Sequence, residues 1–397
     1  MSGLPAGHDT QAAFAAVLVD EWLRAGLSDA VVAPGSRSTP LLVALAERAE
    51  RGHLRLHVVL DERSAGFLAL GLGRASGRPA LVVTTSGTAA AELHPAVQEA
   101  DQGGVPMVAV TADRPPELHD CGAPQTAPQV GLFGGAPRWQ LSPGPPDLAA
   151  ASAWRPMASR AVAEALGGLR PPGPVHLNLA FREPLLGSAG AVLEAGPGGP
   201  VHAAVAHGRA DGAAWHRVPP PAPVVPPADV IELLSRASRG LIVAGWGVGD
   251  PSAVWSLAEA SGWPVLAEPI SGCRQPGAIG TADALLRTEL VRGWEPDVVL
   301  RLGAPWLSRA LNEWLAGLTC PQILADPWGR WAAPDRQPSV VVQASPDDVC
   351  RAVATAVPAS GRGPRTGWSE RWSMAEQLAQ EAIGAALAQE AELNEPA

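Results

Sequence analysis

No tyrosine occurs in this sequence, and no lysine stands among its 29 lysine-plus-arginine residues, which are all arginine. Without lysine there is no Schiff-base amine and no phosphate-loop lysine, and without tyrosine there is no phenolic acid or base. Every fixed side-chain cation must be a guanidinium, the group best shaped to grip carboxylates and phosphates with two parallel hydrogen bonds. Cysteine is scarce: Cys121, Cys273, Cys320 and Cys350 stand far apart, with no CxxC pair and no histidines at metal spacing. Neither a zinc site nor a disulfide framework is expected, and the thiols are read as reduced and the protein as cytoplasmic. Long apolar runs are missing too. None approaches the ~20 residues a membrane span needs, and the first residues show no basic region followed by an apolar one, so a soluble, untargeted protein is expected. A formal charge of -10 argues against a nucleic-acid partner.

What is present is a globular composition, 47% hydrophobic and 17% charged over 397 residues, which suits two or three domains. Apolar periodicity predicts helices over 10–23, 39–50, 62–77, 89–100 and 151–169. Between them it predicts strands over 30–33, 56–60, 80–84, 107–111 and 174–179, the second of which reads as buried; 113–135 reads as loop. This rhythm specifies an α/β fold with a doubly wound parallel sheet, whose polar strand-ending turns share the edge where such sheets bind ligands. We place a first domain over 1–187 and a Gly/Ala/Pro-rich linker over 188–228, ending in PPPAPVVPP. A second α/β domain follows over 229–360, with strands over 241–244, 265–267, 298–302 and 323–325 and helices over 230–237, 252–261 and 307–315. A helical segment over 361–397 closes nothing visible and is expected to lead onward. The GWGVGD at 245–250 superficially resembles a dinucleotide fingerprint but lacks its last glycine.

Four polar clusters fall on the presumed ligand edge of the first domain: Ser36-Arg37-Ser38, Glu62, Ser86-Gly87-Thr88, and Asp113-Arg114 with Gln125 beyond. Each has a plain structural reading. Serine and glycine fill turns, and an acidic residue such as Glu62 suits a first helical turn. Together, however, they set a carboxylate beside two arginines, which would pair with it unless a ligand engaged them.

The stretches APGSRSTPL, DERSAGFLALGLGRASGRPALVVTTSGTAAAELHPAVQEA, VTADRPPELHDCGAPQTAPQVGLFG and GPVHLNLAFREPL resemble the thiamine diphosphate enzyme family, in particular its succinyl-transferring synthases of menaquinone biosynthesis. The likeness covers most of 10–185 and continues less tightly through GWPVLAEPISG, VLRLGAPWLSRALNEWL and ADPWGRW. It implies a pyrimidine-binding domain followed by a central domain, in a homodimer. Glu62 matches the glutamate that bonds the cofactor's aminopyrimidine nitrogen; in an apolar, water-poor setting such a carboxyl has a raised pKa and shares a proton with the ring. Ser86, Gly87 and Thr88 fall beside it as further cofactor contacts. Ser36, Arg37, Arg114 and Gln125 match substrate contacts, and Arg309 a basic one in the central domain. Proline stands at position 124, where the family commonly has asparagine.

The reaction implied is decarboxylation of 2-oxoglutarate on thiamine diphosphate and addition of the succinyl unit to isochorismate. The product is 2-succinyl-5-enolpyruvyl-6-hydroxy-3-cyclohexene-1-carboxylate. The family's Mg2+ or Mn2+ belongs to a Gly-Asp-Gly motif that this chain lacks, so a pyrophosphate-binding domain is expected to be absent and no metal ligand is assigned. Rival readings are another thiamine diphosphate-dependent 2-oxo acid enzyme, a catalytically incomplete binding module for acidic metabolites, and a nucleotide-binding redox protein using GWGVGD.

Overall fold

Alternating apolar strands and capped helices produce two parallel sheets, one in each of two units, Met1–Pro221 and Ala222–Ala397. The computed structural model describes residues 7–168, 170–194, 201–219, 222–358 and 367–389. In the first unit the order is α1 (Gly7–Arg24), β1 (Asp29–Val32), α2 (Thr39–Glu50), β2 (Arg55–Val58), α3 (Glu62–Ser76), β3 (Ala80–Thr84), α4 (Thr88–Ala91) and α5 (His94–Gly103). Then come β4 (Met107–Asp113), β5 (Trp139–Leu141), α6 (Trp154–Leu166), β6 (Pro174–Ala180), α7 (Gly190–Leu193) and α8 (Ala203–His207). The strand order is β2-β1-β3-β4-β6-β5, all parallel, so the chain reverses direction across the sheet between β1 and β3.

The central strands are buried on both faces, which explains their unbroken apolar runs. Val32, Val83, Val110 and Leu177 join one core with Phe14, Leu18 and Trp22 of α1 and Leu41 of α2. On the opposite face α3 and α5 approach closely because of glycine: a Cβ on Gly66 would lie 2.9 Å from the Ala96 Cβ.

Several expectations need correction. The 56–60 run is not a buried strand: β2 lies at the sheet edge, and Val58 and Leu60 are 63% and 85% exposed. Apolar residues signal a face that wants covering, and the described residues leave that face open. The helix expected over 89–100 is broken into α4 and α5, with Pro95 in the first turn of α5, where its missing N–H costs nothing. The stretch 113–135 is followed by β5, too short to show a period, and Asp113 ends β4 rather than starting a loop. The last helix of the domain begins at Trp154 behind a 3-10 turn; its expected end at residue 169 lies outside the described residues.

The stretch read as a linker over 188–228 is, in its described part up to 219, fastened to the first unit. Val192 and Val205 enter the core. The buried Arg155 guanidinium, paired with Asp20 and Glu21, donates to the carbonyls of Val205 and Ala206. Glu21 also accepts from the Trp215 N–H. Gly, Ala and Pro richness reads as a semi-rigid linker, but here charge and backbone hydrogen bonds do the fastening. Residues 195–200 and two prolines of PPPAPVVPP, 220 and 221, lie outside the described residues.

The second unit runs α9 (Ala228–Arg236), β7 (Gly240–Ala244), α10 (Pro251–Ser261), β8 (Val265–Ala267), α11 (Ala282–Leu286), α12 (Glu289–Arg292), β9 (Val298–Leu302) and α13 (Arg309–Gly317). It continues with β10 (Gln322–Ala325), β11 (Val340–Val342), α14 (Pro346–Ala356) and α15 (Gly367–Leu387), the sheet order being β11-β10-β9-β7-β8. α15 does close something: Trp372 is fully buried edge-on to Trp294 and Trp314, and the Trp368 Nε1–H donates to the Gly240 carbonyl at 2.9 Å. The remainder of that expected helical segment, 359–366 and 390–397, lies outside the described residues. The GWGVGD turn serves packing. A Cβ on Gly245 would meet the Ala304 carbonyl oxygen at 1.8 Å, and Asp250 caps α10 through the Ser252 N–H.

Candidate active site

Because the first sheet is wholly parallel, the loops leaving β1, β2, β3, β4 and β6 all emerge at its carboxyl edge, and the predicted residues sit on them. Ser36 and Arg37 follow β1 in a 3-10 turn. Ser36 is exposed, whereas Arg37 is buried. The Arg37 guanidinium donates to the Phe181 carbonyl at 2.9 Å and to Glu183 Oε1 at 3.0 Å, both beyond β6, while its Nε is buried with no hydrogen-bond partner. Arg114, directly after β4, donates through its guanidinium to the Ser86 hydroxyl. Burial and the neighbouring Arg37 charge push the Arg114 pKa below its ordinary value, against the pull of Glu183 and Asp113. The two arginines therefore share one electrostatic neighbourhood.

Ser86, Gly87 and Gln125 form one interlocked turn. The Ser86 hydroxyl donates to the Gln125 carbonyl at 3.1 Å, and the Gln125 amide returns a bond to the Ser86 carbonyl at 3.1 Å. Both Gly87 and Gln125 hold positive φ, 82° and 56°, and a Cβ on Gly87 would come within 2.9 Å of the Gln125 side chain, so only glycine fits there. Ser86 and Gly87 are buried, their polar groups spent within the protein, while Thr88 is exposed at the start of α4.

Beneath this turn lies a buried polar network that sequence reasoning missed. The Gln129 side-chain Oε1 accepts the Gly87 N–H at 2.8 Å, and its Nε2 donates to Asn178 Oδ1 at 2.8 Å and the Ala112 carbonyl at 3.1 Å. Asn178 donates in turn to Asp113, which accepts the Arg114 N–H at 2.7 Å. The Thr111 hydroxyl donates to Asn178 Oδ1, so the His176 Nε2 that faces the same hydroxyl at 2.8 Å must carry the proton. Burial lowers the His176 pKa to about 4, keeping the ring neutral. Nothing in the sequence spacing marks Gln129, Asn178 or His176, because Gln129 meets Gly87 across 42 residues and Asn178 across 49, and His176 meets Thr111 across 65, only through adjacent strands and a loop. A cleft of about 350 Å³ opens beside Gln129, walled by Leu118, His119, Ala123, Thr126 and Val130.

Glu62 occupies the first turn of α3, with Asp61 as the cap that accepts the Ser64 N–H. The residue is half-buried, and no hydrogen bond or ion pair engages its carboxylate among the described residues. The apolar, water-poor setting expected around it is not furnished by this chain by itself, since β2 beside it is an uncovered edge. Arg309 begins α13 in the second unit, exposed and paired with Glu313 at 2.7 Å. Among the described residues no cluster of three or more His, Cys, Asp or Glu side chains can hold a metal ion.

Comparison with known proteins gives two family matches. Residues 12–132 match the thiamine pyrophosphate enzyme, N-terminal TPP binding domain, and residues 211–396 match the middle domain of thiamine pyrophosphate. Similar proteins include a 2-succinyl-5-enolpyruvyl-6-hydroxy-3-cyclohexene-1-carboxylate synthase of Thermobifida fusca, 43% identical over 79% of this chain and 54% of its own length. The synthase of the same name from Kineococcus radiotolerans is 43% identical over 97% of this chain and 65% of its own length. That from Halorubrum lacusprofundi is 41% identical over 94% and 62%. The chain thus spans between about half and two thirds of the length of these relatives.

Proposed function

Because the chain belongs to the thiamine pyrophosphate enzymes and carries their N-terminal and middle domains, we propose that it acts in menaquinone biosynthesis as a transferase. The reaction would decarboxylate 2-oxoglutarate and join the succinyl unit to isochorismate. The observation that carries this reading is the meeting of Arg37 and Arg114 on the same sheet edge as Glu62, whose carboxylate no group among the described residues engages. Both substrates bring carboxylates, and a guanidinium pair is the chemistry that holds them.

Each residue has a part in that scheme. Glu62 suits the aminopyrimidine of thiamine diphosphate, because an unpaired carboxyl can hold a proton against a ring nitrogen. When bound, the cofactor supplies an electron sink for loss of carbon dioxide from a 2-oxo acid. Arg37 and Arg114 bind substrate carboxylate, with Ser36 and Gln125 at their flanks. Ser86 and Gly87 act from beneath, holding Arg114 and Gln125 in place, and exposed Thr88 is the member of that turn with a side chain to offer the cofactor. Arg309 remains a candidate substrate contact from the second unit. We assign 1–187 to pyrimidine binding and 229–360 to the central domain. The Mg2+ or Mn2+ of the family finds no donor set among the described residues, and no step here runs through it.

A homodimer is part of the same proposal. Val58, Leu60, Phe67 and Leu68 expose apolar surface around Glu62, and a second copy laid over it would give the carboxyl the dry setting its role requires. No described helix is long and apolar enough to cross a membrane, which accords with a cytoplasmic enzyme. The test is Glu62→Gln in the full gene product, supplied with thiamine diphosphate, Mg2+, 2-oxoglutarate and isochorismate. Turnover should fall by more than about a hundredfold. Wild-type turnover by the variant would overturn the assignment.

A further inference from the structure

The motif FREPL after β6 takes no part in the scheme above, yet it places a carboxylate on the arginine pair. Glu183 Oε1 sits 3.0 Å from the Arg37 guanidinium, and its charge also reaches Arg114. Arg37 approaches from inside, its side chain 6% exposed, while the Glu183 side chain is 74% exposed and lies on the solvent side. A ligand carboxylate arriving from solvent would meet Arg37 from the side Glu183 now occupies.

The backbone around Glu183 is braced by Gln11, whereas its exposed side chain takes its hydrogen bond from Arg37. Gln11 of α1, itself buried, accepts the Arg182 N–H and donates to the carbonyls of Arg182 at 2.9 Å and Pro184 at 3.4 Å. Arg182 is further tied to Glu117 in the loop after β4. Glu183 can therefore leave Arg37 by rotating its side chain, with no change in the loop. Glu183 lies on the solvent side, and Arg37 keeps its bond to the Phe181 carbonyl, so exchanging this carboxylate for that of a ligand leaves the buried guanidinium paired and costs little.

We propose that Glu183 is a built-in stand-in for the substrate carboxylate, seated on Arg37 beside Arg114 in the free protein and displaced when substrate binds; this rests on the reading of the two arginines given above. The stand-in has two effects. It keeps a buried guanidinium paired when no substrate is present. It also makes every incoming anion compete with an attached carboxylate, so a monoanion with one weak contact gains little while a dicarboxylate with further contacts still displaces it.

The variant Glu183→Gln keeps the shape and removes the charge. With 2-oxoglutarate as titrant in calorimetry, the variant should bind about two- to fivefold more tightly than the wild-type chain, the scale of an exposed ion pair. Chloride should compete more strongly in the variant, because the vacated arginines accept simple anions. A melting curve that overlays the wild type establishes that the variant is folded. If the wild type binds 2-oxoglutarate and the folded variant binds it equally or more weakly, Glu183 is a structural prop for Arg37 and the stand-in is wrong. If the variant unfolds, Glu183 is again a prop and the proposal fails. If neither protein binds 2-oxoglutarate, the reading of Arg37 and Arg114 as a carboxylate clamp fails, and the stand-in with it.

Discussion

Replacing Gln129 with leucine should unfasten the turn that carries Ser86 and Gly87. The side chain closes three hydrogen bonds, to the Gly87 N–H, the Ala112 carbonyl and Asn178 Oδ1, at 2.8, 3.1 and 2.8 Å. Leucine has similar bulk and closes none of them. The buried Gly87 N–H is left without a partner at a cost of about 1–3 kcal/mol, and the two lost donations add about 1 kcal/mol each. A total near 4 kcal/mol corresponds to a fall of roughly 8–16 °C in the melting temperature of a unit this size. Scanning calorimetry on the purified chain reads it directly. Gln129→Glu gives a signed control: one carboxylate oxygen keeps the Gly87 N–H, but the other faces two acceptor oxygens and must be protonated. Its folded pKa is then raised above the unfolded one, so its deficit against wild type is full above the raised value and shrinks as pH falls from there to the unfolded pKa. A Gln129→Leu protein melting within about 2 °C of wild type would show that the network does not hold the turn.

Two further predictions follow from buried groups. His176 has a pKa of about 4 in the folded protein, below the ordinary histidine value of about 6.5, so the unfolded chain takes up its proton first. Stability is complete above about pH 6.5 and ebbs as pH falls to about 4, by about 3 kcal/mol. Urea midpoints for wild type and His176→Gln should converge in acid, and parallel pH profiles would rule this out. Arg155→Met strands the buried Glu21 carboxylate, at about 3–5 kcal/mol, and releases the carbonyls of Val205 and Ala206. Trypsin should then cut after Arg209 far faster than in wild type; equal rates would mean that 201–216 is held by something else.

The strand-helix rhythm was readable because central strands, buried on both faces, leave continuous apolar runs and their helices carry caps. Thus 80–84 and 298–302 emerge at the bounds of β3 and β9, as does 265–267 at those of the edge strand β8, itself buried throughout. What failed was whatever depends on neighbours. The run at 56–60 is as apolar as a core strand, yet nothing among the described residues covers Val58 and Leu60. β5 and β11 have three residues each and are only partly buried, whereas the equally short β8 is buried throughout. The arginines and the Ser86 turn were legible as polar residues at strand ends. Gln129, Asn178 and Glu183 were not, because an amide or an exposed glutamate looks alike in a loop and in a network. Only the strand order, which sets β6 beside β4, brings them to the site.

The brace that Gln11 applies to the loop after β6 joins residues 171 positions apart. During synthesis at about 5–20 residues per second, α1 would wait roughly 10–35 s before its partner leaves the ribosome. Until then the Arg37 side of the cluster has no carbonyl from Phe181 and no Glu183, so the anion seat is among the last parts of the first unit to be assembled. A nascent chain stalled before β6 would hold most of the first sheet and no finished clamp.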